Sequence, residues 1–168
     1  VAEQSDFQLH LAGLVATPFG KWIDGYFNDY PGLKERVILH GELGRQELYR
    51  LYCRSSIFCM SSRYEGMAIV FPEAMYYGNA IVTTWPVSVK ELVEKNNLGI
   101  TVEKDDRDAL SGALLTLIGD DTLRQGMAER AFEVANSLLN WDKIIRSLDS
   151  EIKTRIDFEK NKSQDSSN

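Results

Sequence analysis

The residues best equipped for chemistry stand together in one stretch, Ser61-Ser62-Arg63-Tyr64-Glu65-Gly66-Met67-Ala68-Ile69-Val70-Phe71-Pro72-Glu73-Ala74-Met75. Two carboxylates, Glu65 and Glu73, lie eight positions apart, and a glycine follows the first. A carboxylate can take two hydroxyl donors in charge-assisted hydrogen bonds. Gly66 lets the backbone come close to a ligand where a Cβ would hinder it. A helix that starts just before Glu73 would turn free N–H groups and the positive end of its dipole toward an anion. That helix end suits a ligand that carries negative charge. Plainer readings stand beside each one. In a first helical turn Glu73 would gain about 0.3–1 kcal/mol from the dipole alone, and Glu65 could be a solvated loop acid. Arg63 fits a surface residue as well as a phosphate contact.

These side chains need a scaffold, and the flanking sequence supplies its signals. Ser56-Ile57-Phe58-Cys59-Met60 is a short apolar run of the kind that forms a strand. Pro72 suits the first turn of the following helix, where the first N–H groups have no intrahelical partner. That helix runs through Tyr77, and Gly78-Asn79 closes it. Ligands of open α/β sheets bind at the carboxyl ends of strands, which is where this loop would lie.

The same alternation extends both ways. Strands are expected at 7–13, 36–41, 57–60, 80–84 and 98–102, with helices at 19–28, 45–53 and from Ser88 or Val89 to Glu94. Phe19, Trp22, Ile23, Tyr26 and Phe27 form a helical stripe expected to pack in the core. His10, on one face of the first strand, reads as a half-exposed structural residue. Past 102 the pattern is only helical: 106–118, 121–137, and a last helix opened by Asn140-Trp141-Asp142. Strands alternating with helices imply right-handed βαβ units and a mainly parallel sheet covered on both faces. The expected class is α/β, a Rossmann-like three-layer domain over 1–158 with extra C-terminal helices. Residues 159–168 have no apolar side chain and are expected to be a disordered tail.

Composition narrows the function. A chain of 168 residues suits one domain with a real core. A net charge of -6 argues against a nucleic-acid binder, which needs a basic footprint. No apolar run approaches the roughly 20 residues that span a bilayer, and the N-terminus is not signal-like. A cytoplasmic location is expected, with peripheral membrane contact left open. Cys53 and Cys59 have no partners at metal-ligand spacing and are expected to be buried free thiols in a reducing compartment. Dinucleotide-fingerprint, P-loop, zinc-protease and serine-hydrolase motifs are absent. Val1-Ala2-Glu3-Gln4 reads as the end of a helix already under way, so the first βα unit is expected to be truncated.

The pair Glu65-Gly66 followed by Glu73-Ala74-Met75, with seven residues between the glutamates, resembles the donor signature of retaining GT-B glycosyltransferases of family 4, the glycosyl transferases group 1. Further pieces in the family's order are Arg36-Val37-Ile38-Leu39-His40-Gly41, Leu48-Tyr49-Arg50-Leu51-Tyr52, Gly78-Asn79-Ala80-Ile81-Val82-Thr83-Thr84, Glu91-Leu92-Val93 and Trp141. Two departures stand out. Met67-Ala68-Ile69-Val70 replaces the family's common Phe-Gly-Leu-Pro, and Trp85-Pro86-Val87-Ser88 stands where a Gly-Gly loop is usual.

The resemblance implies the C-terminal, donor-binding half of such an enzyme. Glu73 would accept the ribose hydroxyls of a nucleoside diphosphate sugar. Glu65, the expected catalytic residue, would sit beside the donor sugar. The N–H groups of Gly66, Met67 and Ala68 would face the pyrophosphate, with Arg63 and Glu91 as secondary candidates. Neither metal nor cofactor is implied. The implied reaction transfers a hexosyl or related group, with retention, to a saccharide or lipid-linked acceptor. The leaving phosphate would serve as base. The family's diphosphate-gripping Arg and Lys would precede Val1, and an N-terminal domain would bind the acceptor. Residues 1–168 alone are therefore expected to bind nucleotide weakly and to be inactive. A GT-B sugar-nucleotide epimerase and a non-catalytic nucleotide-binding scaffold are the alternatives.

Overall fold

A computed structural model describes residues 7–13, 17–64, 69–85, 89–138, 142, 145–146 and 148–156. Short apolar runs form strands, and each is followed by a helix. In chain order these are β1 (Leu9–Ala12), α1 (Thr17–Asp29), a 3-10 turn (Pro31–Leu33), β2 (Val37–Gly41), α2 (Arg45–Arg54), β3 (Ile57–Met60), α3 (Val70–Tyr76), β4 (Ala80–Trp85), α4 (Lys90–Asn96), β5 (Gly99–Glu103), α5 (Arg107–Gly119) and α6 (Asp121–Leu138). Positions 148–156 are helical as well. All strand pairs are parallel, as the βα alternation requires. They form two ladders instead of one sheet: β1 with β2, and β3-β4-β5 with β4 in the middle.

The core is built around β4, whose residues Ala80 to Thr84 are all buried. Alternation sends its side chains to opposite faces. On one face Ile81 joins Tyr52 of α2, Phe71 and Met75 of α3, Val93 of α4 and Val134 of α6. On the other, Ala80 and Val82 pack against Ala113 and Leu117 of α5 and Met127 of α6. The result is three layers, α/β/α. Neighbouring β5 comes unusually close at Gly99. A Cβ there would stand 1.7 Å from the carbonyl oxygen of Ile81, so only glycine fits.

Helix ends follow from local chemistry. Gly78, at φ +71°, turns the chain after α3. Its N–H donates to the Met75 carbonyl (2.9 Å) and that of Asn79 to the Ala74 carbonyl (3.1 Å), the paired bonds of a Schellman cap. After α4, Asn97 takes the left-handed conformation at φ 52°, and the equivalent pair runs from its N–H to the Glu94 carbonyl and from the Leu98 N–H to the Val93 carbonyl. Asp106 caps α5 by accepting from the Ala109 N–H at 2.8 Å.

Two expectations fail. The aromatic stripe of α1 is not core. Ile23 is buried, but Trp22 is 60% exposed and Tyr26 43%. With Tyr30 they form a ladder on the outside, centroids 5.4 and 4.8 Å apart, at the four-residue spacing that lets side chains cover one another. The side chain of Phe19 lies outside the described residues. Both cysteines are free but exposed, not buried. Cys59 keeps some solvent contact on β3. The chain around its sulfur is still dense enough to push the thiol up to about 11. The tail expected at 159–168 lies outside the described residues.

Candidate active site

Because the strands are parallel, their carboxyl ends open on the rims of the two ladders. On the three-stranded ladder the loops after β3, β4 and β5 are tied together by hydrogen bonds. The Thr83 hydroxyl donates to the Met60 carbonyl at 3.1 Å and the Thr84 hydroxyl to the Ser62 carbonyl at 2.5 Å. The Lys104 N–H donates to the Trp85 carbonyl at 3.2 Å. The segment after β3 is thereby fixed before it reaches Glu65.

Glu73 lies in the first turn of α3, on the rim side of that helix. Pro72 beside it sits where its missing N–H costs nothing. The Glu73 carboxylate is half-buried, and the Tyr49 hydroxyl of α2 donates to its Oε1 over a long 3.5 Å. The Tyr49 ring packs on Tyr77 (centroids 5.4 Å apart) and beneath the Arg45 guanidinium at 5.9 Å. Tyr52 is buried alongside. Its hydroxyl is pushed up to about 12, by desolvation first, then by the negative charge of Glu73 and by Tyr49. Among the described residues no cation pairs with Glu73. A partly desolvated carboxylate with one long contact keeps most of its acceptor capacity for a ligand's donors.

Cations gather on the same rim. Arg63, expected as a surface or phosphate-contacting residue, forms an ion pair with Asp105 at 2.9 Å, both side chains well exposed. Such a pair contributes at most about 1 kcal/mol and exchanges readily. The Lys104 ammonium lies 5.0 Å from the centre of the Tyr64 ring, and the Lys90 ammonium 5.2 Å from that of Trp85. Lys90 also approaches Glu94 at 3.6 Å. Glu91 is exposed in the first turn of α4. Glu65, Gly66, Met67 and Ala68 fall outside the described residues, so the structure brings Glu73 together with Tyr49 and places Arg63 beside Asp105, but it does not place the first glutamate. Tyr49, Tyr64 and Lys104 are members that sequence reasoning missed. Their only signal was proximity across loops and helices, which no local pattern encodes.

Among the described residues no group of three or more His, Cys, Asp or Glu could hold a metal ion, and no helix is long and apolar enough to cross a membrane.

The family model for glycosyl transferases group 1 matches residues 1–120. The chain belongs to that group 1 family. Among its relatives is an alpha-1,4-N-acetyl-D-galactosaminyltransferase of Campylobacter jejuni, 29% identical over 111 residues, covering 61% of this chain and 31% of that protein. An alpha-D-kanosaminyltransferase of Streptomyces kanamyceticus is 29% identical over 100 residues, covering 60% of this chain and 26% of that protein. In shape, the group 1 chain resembles sucrose-phosphate synthase from Thermosynechococcus elongatus, with TM-score 0.76 over 92% of this chain and 40% of that one at 22% identity. It also resembles Anabaena HepE in complex with UDP, with TM-score 0.76 over 90% of this chain and 42% of that one at 20% identity. The fold is that of the GT-B glycosyltransferases, α/β and Rossmann-like. The chain spans about a third or less of the length of the curated relatives it matches.

Proposed function

We propose that this group 1 domain binds a nucleoside diphosphate sugar and presents it for retaining transfer to a saccharide or lipid-linked acceptor. The observation that carries the reading is Glu73, a half-buried carboxylate with no cation partner among the described residues, in the first turn of the helix that follows β3. Its two oxygens are suited to accept the 2′- and 3′-hydroxyls of the ribose. Glu65 would lie beside the sugar, and the N–H groups of Gly66, Met67 and Ala68 beside the pyrophosphate. Arg63 and Lys104 are near enough to the rim to offset diphosphate charge, once Arg63 exchanges Asp105 for phosphate.

In the reaction the bond from the anomeric carbon to the phosphate oxygen breaks. The acceptor oxygen bonds to that carbon on the same face, and its proton passes to the departing phosphate. Stabilising the diphosphate's charge would then be the largest catalytic term. Two relationships support the reading: a structural neighbour holds UDP, and a curated relative is named for an undecaprenyl-diphosphate-linked glycan. No metal or other cofactor enters this scheme.

Titration of the complete polypeptide with UDP-, GDP- and ADP-sugars tests it. One nucleotide should bind preferentially, and Glu73→Ala should weaken it at least about tenfold, the scale of one charge-assisted pair. Unchanged affinity in Glu73→Ala would remove the ribose role.

A further inference from the structure

Buried from Ala80 to Thr84, β4 ends in a large ring left in solvent, Trp85, which is 45% exposed. Side chains alternate along a strand. Ile81 joins the cluster of Phe71 and Met75 of α3 and Val93 of α4, so Trp85, four positions on, belongs to the same face of the sheet. It stands at the carboxyl end of the ladder, on the side of α3, whose first turn holds Glu73.

Other exposed rings cover one another. Trp22, Tyr26 and Tyr30 form their ladder, and Tyr76 packs on Tyr77 and Phe132. Trp85 has no ring beside it among the described residues, but it is held firmly. Its main chain pairs with Glu103 of β5, and its carbonyl accepts from the Lys104 N–H at 3.2 Å. The Lys90 ammonium lies 5.2 Å from the ring centre. Lys90 is itself drawn to Glu94 at 3.6 Å, one helical turn on, and Glu94 accepts from the Thr101 hydroxyl of β5. A cation over an exposed ring contributes about 0.5–1 kcal/mol, less than burying a ring of this size would. What the arrangement does achieve is orientation. A ring fixed before its ligand arrives lowers the ordering cost of binding.

We infer that Trp85 reads the sugar of the nucleotide sugar, packing its indole against the apolar C–H face of the hexosyl ring, with Lys90 as the positioning residue that holds it. The inference rests on the donor-site reading and deepens it. The segment after β3, which that reading sets beside the pyrophosphate, is tied to β4 at Thr84, the residue before Trp85. Trp85 thus neighbours the diphosphate end of the ligand. The face of an aromatic ring is negative and repels a diphosphate, whereas the C–H face of a sugar fits it. The indole N–H adds a donor for one of the sugar's oxygens.

The test compares UDP-glucose, GDP-mannose and ADP-glucose with their free nucleoside diphosphates, on the complete polypeptide, by titration and tryptophan fluorescence. The tightest-binding pair is then carried through variants. Trp85→Ala should weaken the sugar nucleotide about tenfold and the free diphosphate less than about twofold, as expected for loss of one aromatic contact. Trp85→Phe keeps a ring and should recover most of the loss, and Lys90→Met should fall between. Indole emission should change more with the sugar nucleotide than with the diphosphate, and this difference should vanish in Trp85→Phe. That readout does not depend on the alanine variant folding. Equal weakening of both ligands would assign the ring to the base or the phosphates, and no weakening of either would leave Trp85 outside the site; each overturns the inference. Failure of Glu73→Ala to weaken the free diphosphate would sink the donor-site reading by itself, since the Trp85 comparison is made on the added sugar alone.

Discussion

Glu73 owes its setting to Tyr49, a residue of another helix. Their contact is long at 3.5 Å, so the hydroxyl steers the carboxylate without satisfying it. Tyr49→Phe keeps the ring on Tyr77 and removes only the donor. It is expected to weaken binding of the preferred nucleotide sugar about two- to fivefold, within the range of one modest hydrogen bond. Isothermal titration measures this, and a thermal melt should move little. The place of Glu73 in a first helical turn was legible in the sequence from Pro72 beside it, whereas Glu65 and Gly66 lie outside the described residues. Tyr49 was not legible, because its role exists only once α2 lies against α3. Arg63 was left open between two roles, and its partner Asp105 is 42 positions away in sequence.

At the scale of elements, most boundaries could be read from periodicity and caps. Gly78, Asn97 and Asp106 end or begin helices through chemistry local to those residues. The stripe of α1 could not be read correctly. An aromatic ladder has the same spacing whether it faces a core or stacks on itself in water, and only the surroundings decide. Between β4 and β5 the close approach at Gly99 sets a firm limit. Gly99→Ala would drive a methyl group into the Ile81 carbonyl. The expected cost is about 1–3 kcal/mol, a fall of several degrees in Tm at roughly 2–4 °C per kcal/mol, read by calorimetry.

The β1–β2 ladder carries a pH-sensitive joint. The rings of His10 and His40 stack 5.2 Å apart, with Nδ1 and Nε2 at 2.9 Å. One nitrogen must donate and the other accept, which requires at least one neutral ring. Desolvation first, and then the charge of His40, lower the pKa of His10 below 6.5. The unfolded chain therefore takes up this proton before the folded one does, and stability falls as pH drops below 6.5 toward the lowered value. Denaturant melts from pH 7.5 to 5 should show the loss, and His10→Gln should flatten it.

For the whole molecule, the alternation of strands and helices announced an α/β fold with parallel pairing. It did not announce two ladders, because periodicity shows that a strand exists but not which strand lies next to it. Nor did it single out β4 as the axis of the core, although its β-branched run hinted at burial on both faces. Asn79 ties three of these parts together. Its amide donates to the carbonyls of Tyr52 (3.1 Å) and Ala74 (3.0 Å), joining the ends of α2 and α3 at the entry to β4. Asn79→Ala removes these donors from a fully buried position and should cost about 1–3 kcal/mol, visible in the midpoint of urea unfolding.

The Asn79 side chain also has a mechanical consequence. It pins α2 to α3 at the floor of the domain, while Tyr49 meets Glu73 near the opening. Clasped at two levels, the helices should tilt as one lever. A tug on the carboxylate would therefore reach α2 as well as α6, against which α3 also packs.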